Sequence, residues 1–162
     1  MDNRVLTIES KEDLEVLRKI SEPIESLEEE QELITSLKAH FNEENTSLGI
    51  AAPQLGVNKM AFAMVNPRNI KEITVCINPE IIKMYPNKIG FFSESCLSIP
   101  EAKCLTRRYK MLKVAYINEN GQKIKKLLKD IEAVVFQHEL DHLFGVLMSD
   151  KDLKKENERE EV

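Results

Sequence analysis

The chain reads as an α+β fold with antiparallel sheets, on three observations: helical spacing near its start, alternating segments through its middle, and helical spacing again near its end. Leu27, Leu33, Ile34, Leu37 and Phe41 fall near one helical face. Leu112, Val114 and Tyr116 alternate with Lys113 and Ala115, and Asn120-Gly121 follows as a hairpin dipeptide. Ile131, Val134 and Val135 then mark the buried stripe of a last main helix.

The elements follow in order. A short helical stretch over 14–20 is broken in the Pro23 region. Ser26-x-x-Glu29 predicts a capping box that opens the second helix. Its other face is acidic and reads as solvated surface. Residues 47–56 are small and read as a close-packed turn or strand edge. Strands are expected over 60–66 and 73–78, an irregular or extended segment over 93–100, and a strand around Leu112 to Tyr116. The hairpin leads to a further strand over 122–129. The last main helix runs from about 130 to 144, with Asp130 as its N-cap and Gly145 as its stop. The charged tail, 150–162, is expected to be an exposed helical turn or a frayed end.

A chain of 162 residues, 42% apolar and 31% charged, suits one domain over 1–162 with a hydrophobic core, and argues against a disordered or fibrous chain. A net charge of -5 with scattered basic residues does not favour nucleic acid as the main ligand, although a transient ribosome contact stays open. The start lacks a signal core or transit pattern, and apolar runs such as 60–65 are too short to span a bilayer. The expectation is a soluble, cytoplasmic protein. Cys76, Cys96 and Cys104 are too few and odd in number for a disulfide scaffold, which directs attention to metal or thiol chemistry.

The sharpest local signal is Gln137-His138-Glu139-Leu140-Asp141-His142, which matches H-E-x-x-H. On a helix, residues four apart share a face, so His138 and His142 can offer nitrogens to one divalent ion. Such an ion lowers the pKa of bound water from about 15.7 to near 7. Glu139, beside the pair, can take the proton and return it to a leaving amine. The bland alternative is a helix with two surface histidines. It is weakened because the motif adjoins the apolar Val134 and Val135 and holds all but one of the chain's histidines.

Catalytic sites of this kind generally use three protein ligands. No histidine follows His142, and tail glutamates such as Glu156 are formal candidates. Cys96, in Glu94-Ser95-Cys96-Leu97-Ser98, ranks first, narrowly ahead of Cys104. Cys76 sits in an apolar run and reads as core.

Three segments together resemble the peptide deformylase family. Its G-x-G-x-A-A-x-Q motif is matched by Ser47-Leu-Gly49-Ile-Ala51-Ala52-Pro-Gln54, its E-G-C-x-S by Glu94 to Ser98, and its Q-H-E-x-D-H by Gln137 to His142. Their order and spacing also fit, as do Ile77-Asn78-Pro79 and Asn120-Gly121, so the resemblance covers nearly the whole chain. It implies antiparallel sheets around a central helix that carries the histidines. It further implies removal of the formyl group from N-formylmethionyl peptides of nascent chains, with Cys96, His138 and His142 as ligands of one divalent metal. That metal is often Fe2+ in cells, and this mixed donor set also suits Zn2+, Ni2+ or Co2+. By the same resemblance Glu139 is the general acid/base, and Gln54 with the backbone N–H of Leu97 stabilises the oxyanion. Gly49 lets the substrate backbone come close, and Leu48, Phe92, Ile131, Val134 and Val135 line the methionine pocket. Glu94, Asp141 and Arg108 are candidates to orient the ligands, with Arg108 reading equally well as a surface charge.

Two departures bear on efficiency and substrate range: Ser47 and Ser95 stand where the motifs have glycine. A positive φ at either would cost about 1 kcal/mol or more. Alternative functions are a deacylase or aminopeptidase with altered substrate range, and a catalytically silent metal-binding homologue. Retention of Glu139 and Gln54 argues against the silent reading, because holding a metal needs neither.

Overall fold

The computed structural model describes residues 4–160. Helix α1 (Lys11–Leu17) starts where Ser10 accepts a hydrogen bond from the Asp13 N–H. It lies slightly earlier than its apolar spacing suggests and ends before Ile20. Helix α2 (Gln31–Ala39) also differs at its start. The Glu29 N–H does donate to Ser26 Oγ, at 3.4 Å, but that bond closes a turn, and the helix proper begins after it.

Strand β1 (Gly49–Ala51) runs into a 3-10 turn at Ala52–Leu55, which Gly56 ends in the left-handed region at φ 84. Strands β2 (Ala61–Asn66), β3 (Asn69–Met84), β6 (Met111–Ile117) and β7 (Lys123–Lys129) join β1 in a five-stranded sheet of order β1-β2-β3-β6-β7. Every neighbouring pair is antiparallel. Strand β3 is longer than expected because a register shift lets it pass Asn78, at φ 48, and Pro79. Strands β4 (Ile89–Cys96) and β5 (Ile99–Tyr109) form a separate antiparallel hairpin, so of the two expectations for the segment around Cys96 the extended one holds, as paired strand on either side of a short turn.

Helix α3 (Asp130–Leu143) packs on one face of the large sheet. Ala133, Phe136 and Leu143 are buried with Phe62, Met64, Cys76, Leu112, Val114 and Leu128. Phe136 meets Phe62 edge to face at 5.1 Å, an arrangement worth about 0.5–1.5 kcal/mol beyond area burial. Asp130 is the first helical residue rather than the N-cap. It has φ 52, and its N–H donates to the Lys110 carbonyl. Gly145, at φ 70, stops the helix as expected. Helix α2 covers the other face at its β2–β3 end, where Leu33, Ile34 and Leu37 meet Ala61, Ala63, Val75 and Ile77. A third cluster of Ile99, Cys104, Leu147 and Met148 lies under the hairpin. The tail forms helix α4 (Leu153–Glu160); the last two residues of the expected tail lie outside the described residues. No helix among the described residues is long and apolar enough to cross a membrane.

Candidate metal centre and cleft

Helix α3, the β4–β5 hairpin and the β1 turn meet at one place. Helical spacing puts the His138 and His142 rings 5.1 Å apart between centroids. Strand β4 ends by bringing Cys96 to them. One donor atom from each of Cys96, His138 and His142 lies within 4.8 Å of the other two. Cys96 Sγ is 3.3 Å from His142 Nε2. The other two cysteines are buried elsewhere: Cys76 in the core under α3, and Cys104 in the cluster under the hairpin.

A buried polar frame holds these donors. His138 Nδ1 is 2.8 Å from Glu94 Oε1, which leaves Nε2 for the site. Arg108 donates through Nε and Nη2 to Glu94 at 2.8 and 2.9 Å, and through Nη1 to Asp141 at 2.6 Å. Thr106 Oγ1 also donates to Glu94. Arg108 is 3% exposed, so it is a structural cation inside the fold and not a surface charge. Burial alone would raise the Glu94 carboxyl, but Arg108, His138 and Thr106 outweigh it and bring it down to about 2. Burial would likewise lower His138, yet Cys96 and Glu94 beside it raise the ring to about 10. His142 goes the other way, held well below the ordinary histidine value by burial and by the positive charge of His138 and Arg108.

Glu139 is 3% exposed and borders the cleft. Burial pushes its carboxyl up to about 7, against the pull of His138 and with a further push from Glu94. Among the described residues, Glu139 Oε2 and His142 Nδ1 are buried side-chain atoms without a hydrogen-bond partner. Beside a thiol and two imidazoles, this polar set has the chemistry of a site for one divalent cation and a polar ligand.

Gln54 lies in the 3-10 turn with its amide fixed on both sides. Its Oε1 accepts from the Ala51 N–H at 2.9 Å, and its Nε2 donates to Ser98 Oγ at 3.1 Å and to Cys96 Sγ at 3.6 Å. Leu97 is in the turn between β4 and β5, 42% exposed at the cleft. The cleft has a volume of about 930 Å³. Leu48, Gly49, Phe92, Ile131, Val134 and Val135 all line it, whereas His142 sits behind, fully buried. The close approach at Gly49 is that of Glu139. A Cβ built there would lie 2.8 Å from both Cγ and Cδ of Glu139.

Neither Ser47 nor Ser95 has a positive φ, so the serines carry no backbone strain. Ser47 Oγ instead meets His40 Nε2 at 3.0 Å, while Asn45 Nδ2 donates to the His40 carbonyl at 3.1 Å. This small network ties one cleft wall to the end of α2. His40, Asn45 and the charged rim residues Glu44, Glu101 and Lys103 escaped sequence reasoning, because no motif spacing marks them.

A family model described as polypeptide deformylase matches residues 4–158. A peptide deformylase of Desulfotalea psychrophila is 34% identical over 138 residues, covering 83% of this chain and 80% of the relative. One from Pseudothermotoga lettingae is 40% identical over 139 residues, covering 83% and 76%. Among solved structures, Thermotoga maritima peptide deformylase superposes with a TM-score of 0.81 at 33% identity, covering 92% of this chain and 96% of that one. A Met-Ala-Ser-bound peptide deformylase from Acinetobacter baumannii gives 0.78 at 28% identity, covering 91% and 96%. The antiparallel fold, the Cys-His-His cluster and these likenesses agree, and the chain belongs to the polypeptide deformylase family of metal-dependent hydrolases.

Proposed function

We propose that Cys96, His138 and His142 hold the metal and that Glu139 moves the proton in hydrolysis of the formamide bond of N-formylmethionyl peptides. The observation that carries this reading is the buried Glu139 carboxylate at the cleft, next to three converging donors and raised to about 7. Fe2+ is the native metal in this reading, with Zn2+, Ni2+ or Co2+ able to take the same donors. Bound there, a divalent ion supplies Lewis-acid chemistry and lowers the pKa of water toward 7.

The chain's own groups do the rest. Glu139 accepts a proton from the attacking water and delivers it to the departing amine, a role that suits a carboxyl titrating near neutral pH. Gln54 Nε2 and the Leu97 N–H donate to the oxyanion that develops on the formyl oxygen. Gln54 is pre-set for this by its bonds to Ala51 and Ser98. Leu48, Phe92, Ile131, Val134 and Val135 bound the side of the cleft that takes the methionine side chain. The Met-Ala-Ser peptide bound by the Acinetobacter baumannii enzyme has the chemistry of the deformylated product. The chain acts as a single catalytic unit in the cytoplasm, on nascent chains, with a transient ribosome contact.

The test is formate release from a formyl-Met tripeptide by metal-loaded parent and Glu139→Ala. Turnover in the parent and its loss in the variant, at equal metal content, supports the roles. Equal turnover in both overturns the role of Glu139. Metal bound without turnover in the parent favours the silent homologue.

A further inference from the structure

The basic residues look scattered in sequence, but the fold gathers a group of them. Strand register places Lys83 directly opposite Lys113, Ala115 opposite Lys125, Ile117 opposite Lys123 and Met111 opposite Lys129. Side chains alternate between the faces of a strand. Lys83, Lys113, Lys123, Lys125 and Lys129 therefore share the face opposite Leu112, Val114 and Leu128, which pack against α3. All five lysines are exposed. Helix α2 and Leu27 before it cover the β2–β3 end of this face and reach Ile117 and the β6–β7 turn, where Lys38 pairs with Glu119, and the five lysines stay exposed beyond them. Among the described residues none of the five is in an ion pair, and Lys83 Nζ lies over the Tyr85 ring at 4.9 Å. Glu80, opposite Ala115, is the carboxylate at a paired position of this face.

We propose that the outer face of β3, β6 and β7 docks on the phosphate backbone of folded RNA. Lysines on an edge strand guard against unwanted strand pairing, and that accounts for β7. It does not account for Lys83 and Lys113, which oppose each other on the inner strands β3 and β6. Like charges placed directly across a sheet are destabilising. The chain has 28 acidic residues against 23 Lys and Arg, yet among the paired positions of this face Glu80 is the one carboxylate, and Glu119 at the adjoining turn is paired with Lys38. A polyanion relieves it. Lys123 to Lys129 span about 20 Å of strand, enough to meet several phosphates. Docking on a bilayer needs a set of apolar side chains to insert, and beside these five lysines the exposed large apolar residues are Leu127, 43% exposed, and Ile82, 44% exposed in the bulge before Lys83. Because α3 and its cleft lie across the sheet, RNA bound here leaves the cleft open. The proposal is independent of the deformylase assignment.

The experiment is fluorescence anisotropy of a labelled RNA hairpin with the metal-loaded full chain, between about 50 and 200 mM salt. The expected result is binding that weakens with salt, with a log–log slope of about -0.7 to -0.9 per phosphate neutralised. K113E/K125E/K129E should weaken binding at least tenfold and flatten the slope by about two to three. Its formate release from a formyl-Met tripeptide should equal the parent's, which also reports an intact fold. If charge reversal unfolds the chain, K113Q/K125Q/K129Q takes its place with the same expectation. No binding by the parent at low salt overturns the proposal, as does unchanged affinity in the folded variant. Binding to phosphatidylserine vesicles without RNA affinity overturns it too and gives the face to membranes.

Discussion

Gly49→Ala is a one-methyl test of how tightly the cleft is built around Glu139. The new Cβ would lie 2.8 Å from Glu139 Cγ and Cδ, and nearer still to Oε1, where ordinary contacts begin at 3.4 Å. The carboxylate or strand β1 must therefore move by roughly 0.6 Å or more, the shortfall between these two distances. Glu139 is buried on α3, and α3 is locked to the sheet through Phe136 and Phe62. The displacement thus falls on the carboxylate itself. A misplacement near 1 Å costs about 10²-fold in rate, so kcat/KM should fall by about 10–100-fold, or roughly 1.4–2.8 kcal/mol of barrier. Overpacking should also lower stability by about 1–3 kcal/mol. The assay is steady-state formate release with metal content measured on the same sample. A variant within twofold of the parent at full metal occupancy would refute the reasoning.

Gln54→Ala should lower kcat by about 10²–10³-fold with little change in KM, because it deletes one oxyanion donor; steady-state kinetics decide. Arg108→Leu leaves the buried Glu94 without its guanidinium partner. It should cost about 3–5 kcal/mol in denaturant unfolding, and metal affinity should fall about 10–100-fold as Glu94 loosens its hold on His138. Asp150 ties α1 to the turn after α3 through Arg18, at 2.5 and 3.0 Å, and its carboxyl is held below the ordinary aspartate value by that guanidinium. A depressed folded pKa stabilises fully above the unfolded value and is lost as pH falls through the folded one. Asp150→Asn should therefore cost under about 1 kcal/mol at neutral pH, since the pair is exposed, and the difference from the parent should vanish in acid. Thermal unfolding of both proteins as a function of pH checks it.

The motif helix was legible from the spacing of His138 and His142, but the stripe read as buried, Ile131, Val134 and Val135, lines the cleft with Ile131 43% exposed, and Ala133, Phe136 and Leu143 are the side chains packed on the sheet. The hairpin at Asn120-Gly121 was legible because that dipeptide favours the turn that its flanking strands require. Strand β5 was not. Its alternation is present in burial, but Cys104, Thr106 and Arg108 are the inward side chains instead of aliphatic ones. Thr106 and Arg108 face inward to support Glu94 and, through it, His138, while Cys104 packs in the cluster under the hairpin. A strand that carries a buried polar frame hides from a hydrophobic pattern. The start of α2 misled for a local reason: Ser26 forms its capping bond, but only around a turn. The choice of Cys96 over Cys104 needed long-range packing, which brings β4 and not the middle of β5 to the histidines.

The central claim is that this cleft cleaves a formamide bond. It is tested most directly by incubating the metal-loaded protein with formyl-Met-Ala-Ser and acetyl-Met-Ala-Ser in 18O-labelled water and weighing the products. The expected result is labelled formate and free Met-Ala-Ser from the first peptide, with the acetyl peptide intact. Release of free methionine, or equal cleavage of the acetyl peptide, would contradict the account and favour an aminopeptidase or a broader deacylase.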